Sequence, residues 1–574
     1  MTESPIPRQP TGGPQDEPQD DPRGGRPPVD PAISEAGRFL CAGTYLDAGY
    51  RDRVIEELYV HEERIVAPSY GFDASRVLAH ALRARRAELG WALGILGAWF
   101  AGSLLTGGAL AVLLVPFLLL SLAGWLRARS GLLPRLLSLV VRIYAWWNLA
   151  VIVILVLGIW LALLGAFGDE DDGPAAIGGL LLSGGIGGPA AGFVLGWVPA
   201  VFAAVVTVVG LQRGHVARTI AGDLNRDRYA HRSADPAEAE QGVRFARVRQ
   251  RILHEQHSPM IMYDINDPFV GAGDPYRPWQ VSFELRPRED LEPGREPEQL
   301  TNARIVAGIV PLLERLRVPS QHGSPQAEAA VLDRLRELVV DSCVFLPGGG
   351  LGHRDEGPHL RADFEAHRAA AVEEGGERRR YFLRVRVGGW DENVVVTVFV
   401  RVHTQGGMMT VEVAPHVLLP VHVAFHNADA DAHRYLNNSR FGKAVWALRH
   451  TPGSFTASLV TLGRGVASWW RIASGGHGGA RPEGPRASVR ELAAQDNGSL
   501  FHLMDLDRYL KTIQDRIVAG ITVVLHENGW YTEAFARRAD VHINATFGDV
   551  SHSAISIGGS GNHNSTHRGS HGNG

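Results

Sequence analysis

Three long apolar stretches in the first half of the sequence limit the possible folds more than any other feature. A bilayer core about 30 Å thick needs roughly 20 apolar residues in a helix, because each residue advances the helix axis by only ~1.5 Å. Gly90–Leu126 is too long for one crossing, and its Thr106-Gly107-Gly108 segment favours a tight turn between two short helices. Tyr144–Phe167 predicts a third helix, and Ala175–Leu211 predicts a fourth, with Phe193–Leu211 as its stronger half. We therefore expect an all-α membrane region of about four transmembrane helices.

Arginines near the ends of these stretches predict the orientation of the spans. Arg and Lys close to span ends are retained on the cytoplasmic side, whereas Asp and Glu have little influence. Only four spans leave every arginine cluster on one side of the membrane and the acidic loop 168–172 on the other. We therefore expect a protein of the cell inner (plasma) membrane, with both termini in the cytoplasm and the lipid bilayer as its first partner. The clusters are Arg83, Arg85 and Arg86 before the first span, Arg127, Arg129, Arg135 and Arg142 between the second and third, and Arg213 and Arg218 after the last.

Composition and hydropathy patterning divide the chain into five parts. The first is rich in Pro, Gly, Asp and Gln, and it has too few large apolar residues to offset the entropy cost of ordering, so it should be disordered. The second repeats apolar residues at helical spacing. The parts are a disordered N-terminus at 1–31, a cytosolic helical module at 32–89, the transmembrane region at 90–211, a cytosolic α+β domain at 212–539 and a Gly/Ser/His-rich flexible tail at 540–574.

The fourth part contains helical and β-branched, alternating segments. These are grouped rather than strictly alternating along the chain, which favours an α+β fold. Gly388-Gly389 and Gly406-Gly407 separate three of the strand-like segments and predict an antiparallel meander, and so an antiparallel sheet. The predicted helices are Arg218–Leu253, Glu298–Leu316, Ala327–Val340 and Leu500–Leu525. The predicted strands are Met260–Ile265, Gln280–Leu285, Tyr381–Val387, Asn393–His403 and Thr410–Val413.

The loop between the first two predicted strands holds the densest group of special residues in the soluble part. Glycines let backbone amides approach a ligand, and carboxylates beside an aromatic ring can surround a polar group. The candidate ligand-binding residues are Asp264, Asp267, Gly271, Gly273, Asp274 and Trp279. Calcium is disfavoured, because Pro268 occupies a position where a calcium loop needs an oxygen donor. The alternative is a rigid connection in which Pro and Gly set the turns.

No other motif assigns a reaction, so the catalytic residues are unknown and an enzyme is the less favoured expectation. Gly348–Gly350 follows an apolar run, but the segment lacks the lysine and hydroxyl of a phosphate-binding P-loop. His422 and His426 would share a strand face, yet zinc needs three or four converging ligands. Exposed or hydrogen-bonded histidines explain the pattern better, and we expect neither a cofactor nor a bound metal.

Two further segments each allow two interpretations. Phe441–Ile472 carries Trp469 and Trp470 beside Lys443 and several arginines, which fits a helix lying in the membrane interface. An amphipathic helix buried against the soluble domain explains the same residues. In the tail, Asn544–Gly558 has short β-prone segments flanked by glycine and is similar to terminal motifs of bacterial amyloid-signalling proteins. A disordered tail is the alternative there.

Three short segments of the sequence support a family resemblance. They are Arg38–Ala42, Val66–Asp73 and Phe269–Gly273. With these segments the chain resembles a group of uncharacterised multi-pass membrane proteins of actinomycetes. The resemblance implies the same architecture and an actinobacterial source, and it carries over no functional residues.

Charge and architecture together lead to an expected function. The formal net charge is -4, from 57 basic and 61 acidic residues, so we expect no nucleic-acid partner. Cys41 and Cys343 both fall in segments assigned to the cytoplasm, which favours buried thiols over a disulfide. We expect an integral membrane protein that presents its cytosolic domain as a scaffold, sensor or signalling module, with a protein partner for the domain or the tail as a further hypothesis. The alternatives are a transporter or channel subunit, favoured by the broken Gly184–Pro189 segment, and a membrane-tethered enzyme with a site near the 264–279 loop.

Overall fold

A computed structural model gives the fold of residues 30–548, except 130, 166–196, 240–241, 292–295, 318–334, 336–337, 389–393 and 475–478. The predictions for the first 29 residues, the acidic loop 168–172, the Gly184–Pro189 segment and the tail after residue 548 lie outside the described residues.

The described elements form a helical module, a layer of long apolar helices and a mixed sheet with helices packed on it. The helices are α1 Glu35–Leu46, α2 Ala48–Ile55, α3 Ala74–Leu105, α4 Ala109–Val112, α5 Leu114–Arg127, α6 Leu132–Gly165, α7 Val198–Arg218, α8 Arg226–Tyr229, α9 Pro236–Ala239, α10 Val243–Glu255, α11 Asn302–Glu314, α12 Arg361–Glu373, α13 Val423–His426, α14 Ala428–Leu436, α15 Arg440–Ser474, α16 Val489–Leu492, α17 Leu500–Glu527 and α18 Glu533–Gly548. The strands are β1 Met260–Tyr263, β2 Asp274–Pro275, β3 Trp279–Glu284, β4 Val339–Pro347, β5 Arg380–Val387, β6 Val395–Gln405 and β7 Met408–Leu418.

Among the residues that the structure describes, four helical segments are long and apolar enough to cross a membrane: α3, α4 with α5, α6, and α7. The turn between the first two lies at Thr106-Gly107-Gly108, where the sequence predicts it. Gly107 and Gly108 have φ angles of 56° and 90°, in the left-handed region that glycine tolerates best. The ring of Trp99 in α3 lies 5.9 Å from the ring of Phe117 in α5 and 6.4 Å from that of Phe202 in α7.

The first and last of these helices leave the apolar layer at the same end. Val77 and Leu78 of α3 are buried in one apolar cluster with Ala217 of α7 and Ile220, which follows α7. The helical module before α3 and the chain after α7 therefore lie on one side of the layer.

The sheet has the described strand order β1-β4-β5-β6-β7, and β2 and β3 pair with β7 along its outer edge. The predicted meander is present, since β4 to β7 pair antiparallel and Gly406 and Gly407 form the β6–β7 turn with positive φ. The prediction of a purely antiparallel sheet is wrong, because β1 pairs parallel with β4, with Met260 opposite Val344. Residue alternation does not encode strand direction, and a long connection through β2, β3 and α11 permits this parallel pair.

Two predicted elements need correction. The helix Ala327–Val340 is wrong at its end, because Val339 and Val340 belong to β4 and pair with β5; most of its other residues lie outside the described part. The helix Arg218–Leu253 is not continuous, because α7 ends at Arg218 and the separate helices α8, α9 and α10 follow it. At the other end of the domain, α18 extends to Gly548, into the predicted tail. Phe535 and Ala539, about one helical turn apart in α18, are both fully buried against the sheet.

Two long helices, α11 and α17, cover one face of the sheet. Leu506, Leu510, Ile513 and Ile517 recur every three or four residues along α17 and are buried in the main core. The helices approach closely at Gly520, where a Cβ atom would come 2.9 Å from the Cα atom of Ile309. Glycine is therefore required at this crossing.

Replacing Gly520 by leucine should force α17 away from α11 and destabilise the sheet domain. Over-packing of this kind costs about 1–3 kcal/mol of unfolding free energy, because the backbone of Ile309 cannot move aside as a flexible side chain would. Urea unfolding of the full chain in detergent, followed by circular dichroism, measures the loss. Gly463→Leu is the matched control, since a Cβ there would have no neighbour within 4 Å. Equal losses in both variants would contradict the crossing.

Candidate functional site

The loop of the predicted ligand site connects β1 to β2 and β3. The Asp264 carboxylate accepts hydrogen bonds from the backbone and side-chain amides of Asn266, at 2.8 and 3.0 Å. Asp274 lies in β2 opposite Val417, and Trp279 begins β3, where its ring is buried in the main core. Asp264 is therefore hydrogen-bonded within its own loop, and Trp279 is part of the hydrophobic core.

The two glycines of the loop bind a carboxylate that belongs to the chain itself. The backbone amides of Gly271 and Gly273 donate to Oε1 of Glu491, at 2.6 and 2.9 Å. Both glycines have φ angles of the left-handed region, 101° and 90°, and a Cβ at Gly273 would overlap the carbonyl group of Val417. The loop thus has the form of an anion-binding nest, with Glu491 in the place of an anion.

The charge of Asp267, one of the predicted residues, acts both on Glu491 and on Asp274. Burial raises the pKa of Glu491 despite its hydrogen bonds to backbone amides, and the nearby charge of Asp267 adds to the rise. Burial, followed by the charge of Asp267, also raises the pKa of Asp274. Gly271 and Gly273 therefore bind Glu491, and Asp267 lies near it. Sequence reasoning missed Glu491 because it lies more than 200 residues further along the chain.

Aromatic packing fixes the other side of the loop. The ring of Phe269 lies 4.5 Å from the ring of His416 and 4.9 Å from that of Phe399. Burial lowers the pKa of His416 to about 4, so this imidazole is neutral at physiological pH. The loop is held rigidly on the face of the sheet opposite to α11 and α17.

The paired histidines do not lie on a strand. His422 caps the short helix α13 and accepts a hydrogen bond from the amide of Ala424, and His426 ends that helix and stacks on Phe39 at 4.7 Å. The prediction of a shared strand face is wrong, because β7 ends at Leu418. In the part of the chain that the structure describes, no group of three His, Cys, Asp or Glu side chains has metal-binding geometry.

A cavity of about 450 Å³ lies where α1, α14 and the π-helical turn Thr219–Asp223 after α7 meet. Its polar lining consists of Glu35, Arg38, Asn225, Arg226, Asp429 and His433. π-Helical turns occur frequently at functional sites, since they interrupt the regular helical hydrogen bonds. The cavity is therefore the second candidate site, next to the end of the last apolar helix.

Ion pairs across the cavity join the helical module to α14. Nη1 of Arg38 donates to Asp429 at 2.6 Å, and its Nε donates to Glu35 at 2.8 Å. Burial lowers the pKa of Arg38, but these hydrogen bonds outweigh it and the net pKa is raised. Arg226 forms a further ion pair with Glu35. A charged ligand in the cavity would compete with these pairs and so alter the contact between the module and α14.

A buried polar network joins the helical module to the residue before α9. Asp235 accepts from Nε of Arg76 at 2.9 Å and lies 3.0 Å from Nε2 of His80, and all three side chains are almost fully buried. Although burial opposes ionisation, the hydrogen bond and charge of His80, followed by the charge of Arg76, hold the pKa of Asp235 below its usual range. Sequence reasoning missed this network; the available signal was Arg76 and His80, four residues apart on the apolar face of α3.

The elements described so far define a protein with four membrane-length apolar helices and a mixed-sheet domain. A family model described as an AbeC-like domain matches residues 278–564, which is half of the chain. The chain therefore belongs to this family. The match includes β3 to β7, α15 and α17, and of the predicted site residues it includes Trp279. No curated protein and no solved structure matches the chain.

Replacing Glu491 by alanine should destabilise the fold, because the amides of Gly271, Gly273 and Ser488 would lose their acceptor. Each buried unsatisfied group costs about 1–3 kcal/mol. Glu491→Gln keeps an acceptor for the two glycine amides and should lose less. Thermal unfolding of the full chain compares the variants, with the exposed Glu533→Ala as the control. A loss no larger than that of the control would contradict the nest.

The same variants predict a pH dependence. A carboxyl group whose pKa is raised in the fold stabilises the protein below its unfolded pKa, and this contribution is lost as the pH rises through the folded pKa. Relative to Glu491→Gln, the wild type should therefore lose stability from acid pH towards neutral pH. A difference that stays constant over this range would show that Glu491 has no raised pKa.

Proposed function

We propose that the protein is an integral membrane protein of the cell inner membrane that presents its mixed-sheet domain to the cytoplasm as a sensor or signalling module, with a scaffold role as the simpler form of the same function. Both termini are then cytoplasmic. The observation that carries the proposal is the shared apolar cluster of Val77, Leu78, Ala217 and Ile220. It ties the first and last membrane helices to one another outside the apolar layer.

The sheet domain contributes to the same cluster. Phe425 of α13 and Ala428 and Ala432 of α14 are buried there with Leu40 of α1. A Cβ at Gly43 would come within 2.8 Å of three ring atoms of Phe425, so this contact is tight. A movement of α3 relative to α7 would therefore be transmitted to α13 and α14 rather than absorbed in a linker.

Polar contacts extend this connection to the sheet. Glu255, after the module, accepts two hydrogen bonds from Arg354 at 2.8 and 2.7 Å, and also accepts from the amide of Val66. The hydroxyl of Tyr70 accepts from Arg384, which forms a bidentate ion pair with Asp341. Such buried pairs are directional, so they fix how the sheet is oriented on the module.

The other two functions have weaker support. Transport favours ionisable groups inside the spans, yet residues 90–126 contain none, and Trp99, Phe117 and Phe202 fill the space between helices. An enzyme or ligand site at the 264–279 loop would need the amides of Gly271 and Gly273, which Glu491 already binds. A ligand there would have to displace Glu491.

Reporter fusions test the proposed orientation. Green fluorescent protein fused after Gly574 should fluoresce, and alkaline phosphatase fused there should be inactive, because the former folds only in the cytoplasm and the latter only after export. Phosphatase fused after Gly168, in the acidic loop, should be active. Phosphatase activity after Gly574, or a full chain that fractionates as freely soluble, would overturn the membrane proposal.

The proposed coupling predicts that a change inside the membrane layer opens the module. A Cβ at Gly102 would come 2.6 Å from both Leu110 and Val201, so Gly102→Ala should push α3 away from its neighbours. Cys41, fully buried in the shared cluster, should then react with a maleimide at least about fivefold faster, since over-packing costs about 1–3 kcal/mol.

Gly94→Ala is the matched control on the same helix, because a Cβ there has no neighbour within 4 Å. Cys343, buried in the sheet, reports separately on the sheet domain. A variant Gly102→Ala that lowers thermal stability but leaves the Cys41 rate unchanged would contradict the coupling, although the membrane location would be unaffected.

A further inference from the structure

The long helix α15 has small side chains on the face that it buries. Its buried residues include Ala447, Thr451, Ser454, Ser458 and Ser468, spaced three, four or ten residues apart along one stripe. Small residues let helix backbones approach closely, and they are enriched where helices pack inside membranes. A helix packed on a water-soluble core normally buries its large apolar residues instead.

Most of the large apolar residues of α15 are exposed, although Trp446, Phe455 and Ile472 pack partly against the protein. Phe441, Trp469 and Trp470 are 79%, 64% and 65% exposed. Five further residues of this kind are exposed along the helix, namely Val445, Leu448, Leu459, Val460 and Val466. An apolar face of this length is unfavourable in water and marks an interaction surface.

Contacts of α15 place it against α3 and α5, two of the membrane-length helices. The ring of Phe455 lies 6.3 Å from that of Trp99, and Thr456 hydrogen-bonds Ser121 at 2.9 Å. Towards its C-terminal end, Thr461 donates to Glu88, and the carbonyl group of Arg464 accepts from Arg85. The outward face of α15 is therefore continuous with the outer surface of α3 and α5, and its C-terminal half reaches the end of the layer where the soluble parts lie.

The basic side chains of α15 indicate what kind of partner covers its exposed face. Residues 440–474 contain five basic and no acidic side chains: Arg440, Lys443, Arg449, Arg464 and Arg471. Among the described residues, Arg471 forms an ion pair with Glu56, whereas no ion pair is found for Arg449 or Arg464. Basic groups beside tryptophan and leucine on one helix match an anionic lipid surface.

We propose that α15 lies in the cytoplasmic interface of the bilayer, with its exposed apolar side chains at the acyl-chain boundary and its basic side chains on anionic phospholipid headgroups. The inference rests on the proposed membrane insertion and adds a lipid-binding element to it. Because α15 also follows α14, which lines the cavity, lipid contact would position one wall of that cavity.

Spin labels on the full chain in nanodiscs of phosphatidylcholine and phosphatidylglycerol test the location. Cys41 and Cys343 are buried, so cysteines introduced as Leu459→Cys and Val466→Cys can be labelled selectively. Both labels should relax strongly with oxygen, which dissolves in lipid, and weakly with a water-soluble nickel chelate. Val153→Cys on α6 is the lipid control, and Val243→Cys at the start of α10 is the water control; both side chains are exposed.

The controls separate the two proposals. Labels on α15 that respond like Val243→Cys, while Val153→Cys responds like lipid, would overturn the inference and leave the membrane insertion intact. If Val153→Cys also responds like water, the proposed insertion itself is wrong. Spin–spin broadening between singly labelled chains would mean that a second copy covers the face, which also overturns the inference.

Charge neutralisation tests the headgroup contact. Each basic residue near an anionic surface is worth about fivefold in affinity, so Arg449→Gln and Arg464→Gln should each weaken phosphatidylglycerol binding by about that factor. Lipid titration of the detergent-solubilised chain, read by native mass spectrometry, measures it. Arg508→Gln on α17 is the control and should have no effect. Equal binding of phosphatidylglycerol and phosphatidylcholine to the wild type would overturn the headgroup contact.

Discussion

One apolar cluster holds both the start of the first membrane-length helix and the segment after the last, and the rest of the structure depends on it. Inside a bilayer every backbone polar group must be satisfied within its own helix, so the helices themselves offer little choice of structure. Their arrangement is instead determined where they leave the apolar layer. Burying Val77 and Leu78 with Ala217 and Ile220 fixes the height and the spacing of α3 and α7. The sheet domain then inherits a defined position relative to the apolar layer.

Polar groups buried beside this cluster determine which arrangement of the packed helices is stable. Apolar packing alone tolerates small shifts, whereas a buried charge that loses its partner costs several kcal/mol. Asp235 between Arg76 and His80, and Arg38 between Glu35 and Asp429, therefore permit one arrangement of the module, α9 and α14. The cavity lies beside the second of these groups, at the π-helical turn after α7. A junction that is rigid in its core and polar at its edge can respond to charge without losing its fold.

The sequence predicts those features that depend on local chemistry. Hydropathy and length predicted four membrane-length helices, although the third begins at Leu132, twelve residues before its predicted start. Thr106-Gly107-Gly108 located the turn between the first two, and Gly406-Gly407 located the β6–β7 hairpin. The direction of β1 was not predictable, because alternation is the same in parallel and antiparallel strands. The partner of Gly271 and Gly273 was not predictable either, since Glu491 is brought there only by the complete fold.

Glycine-rich loops and apolar stripes share a limitation as sequence signals. Gly271 and Gly273 predict amides that face an anion, but a carboxylate of the chain satisfies them as well as a ligand does. The apolar residues of α15 predict an amphipathic helix, but its small residues face the protein, and Trp469 and Trp470 face outward. In both cases the residue types determine which chemistry is matched, and only the packing determines which partner supplies it. The same chemistry thus serves the interior at one site and, by our inference, the lipid surface at the other.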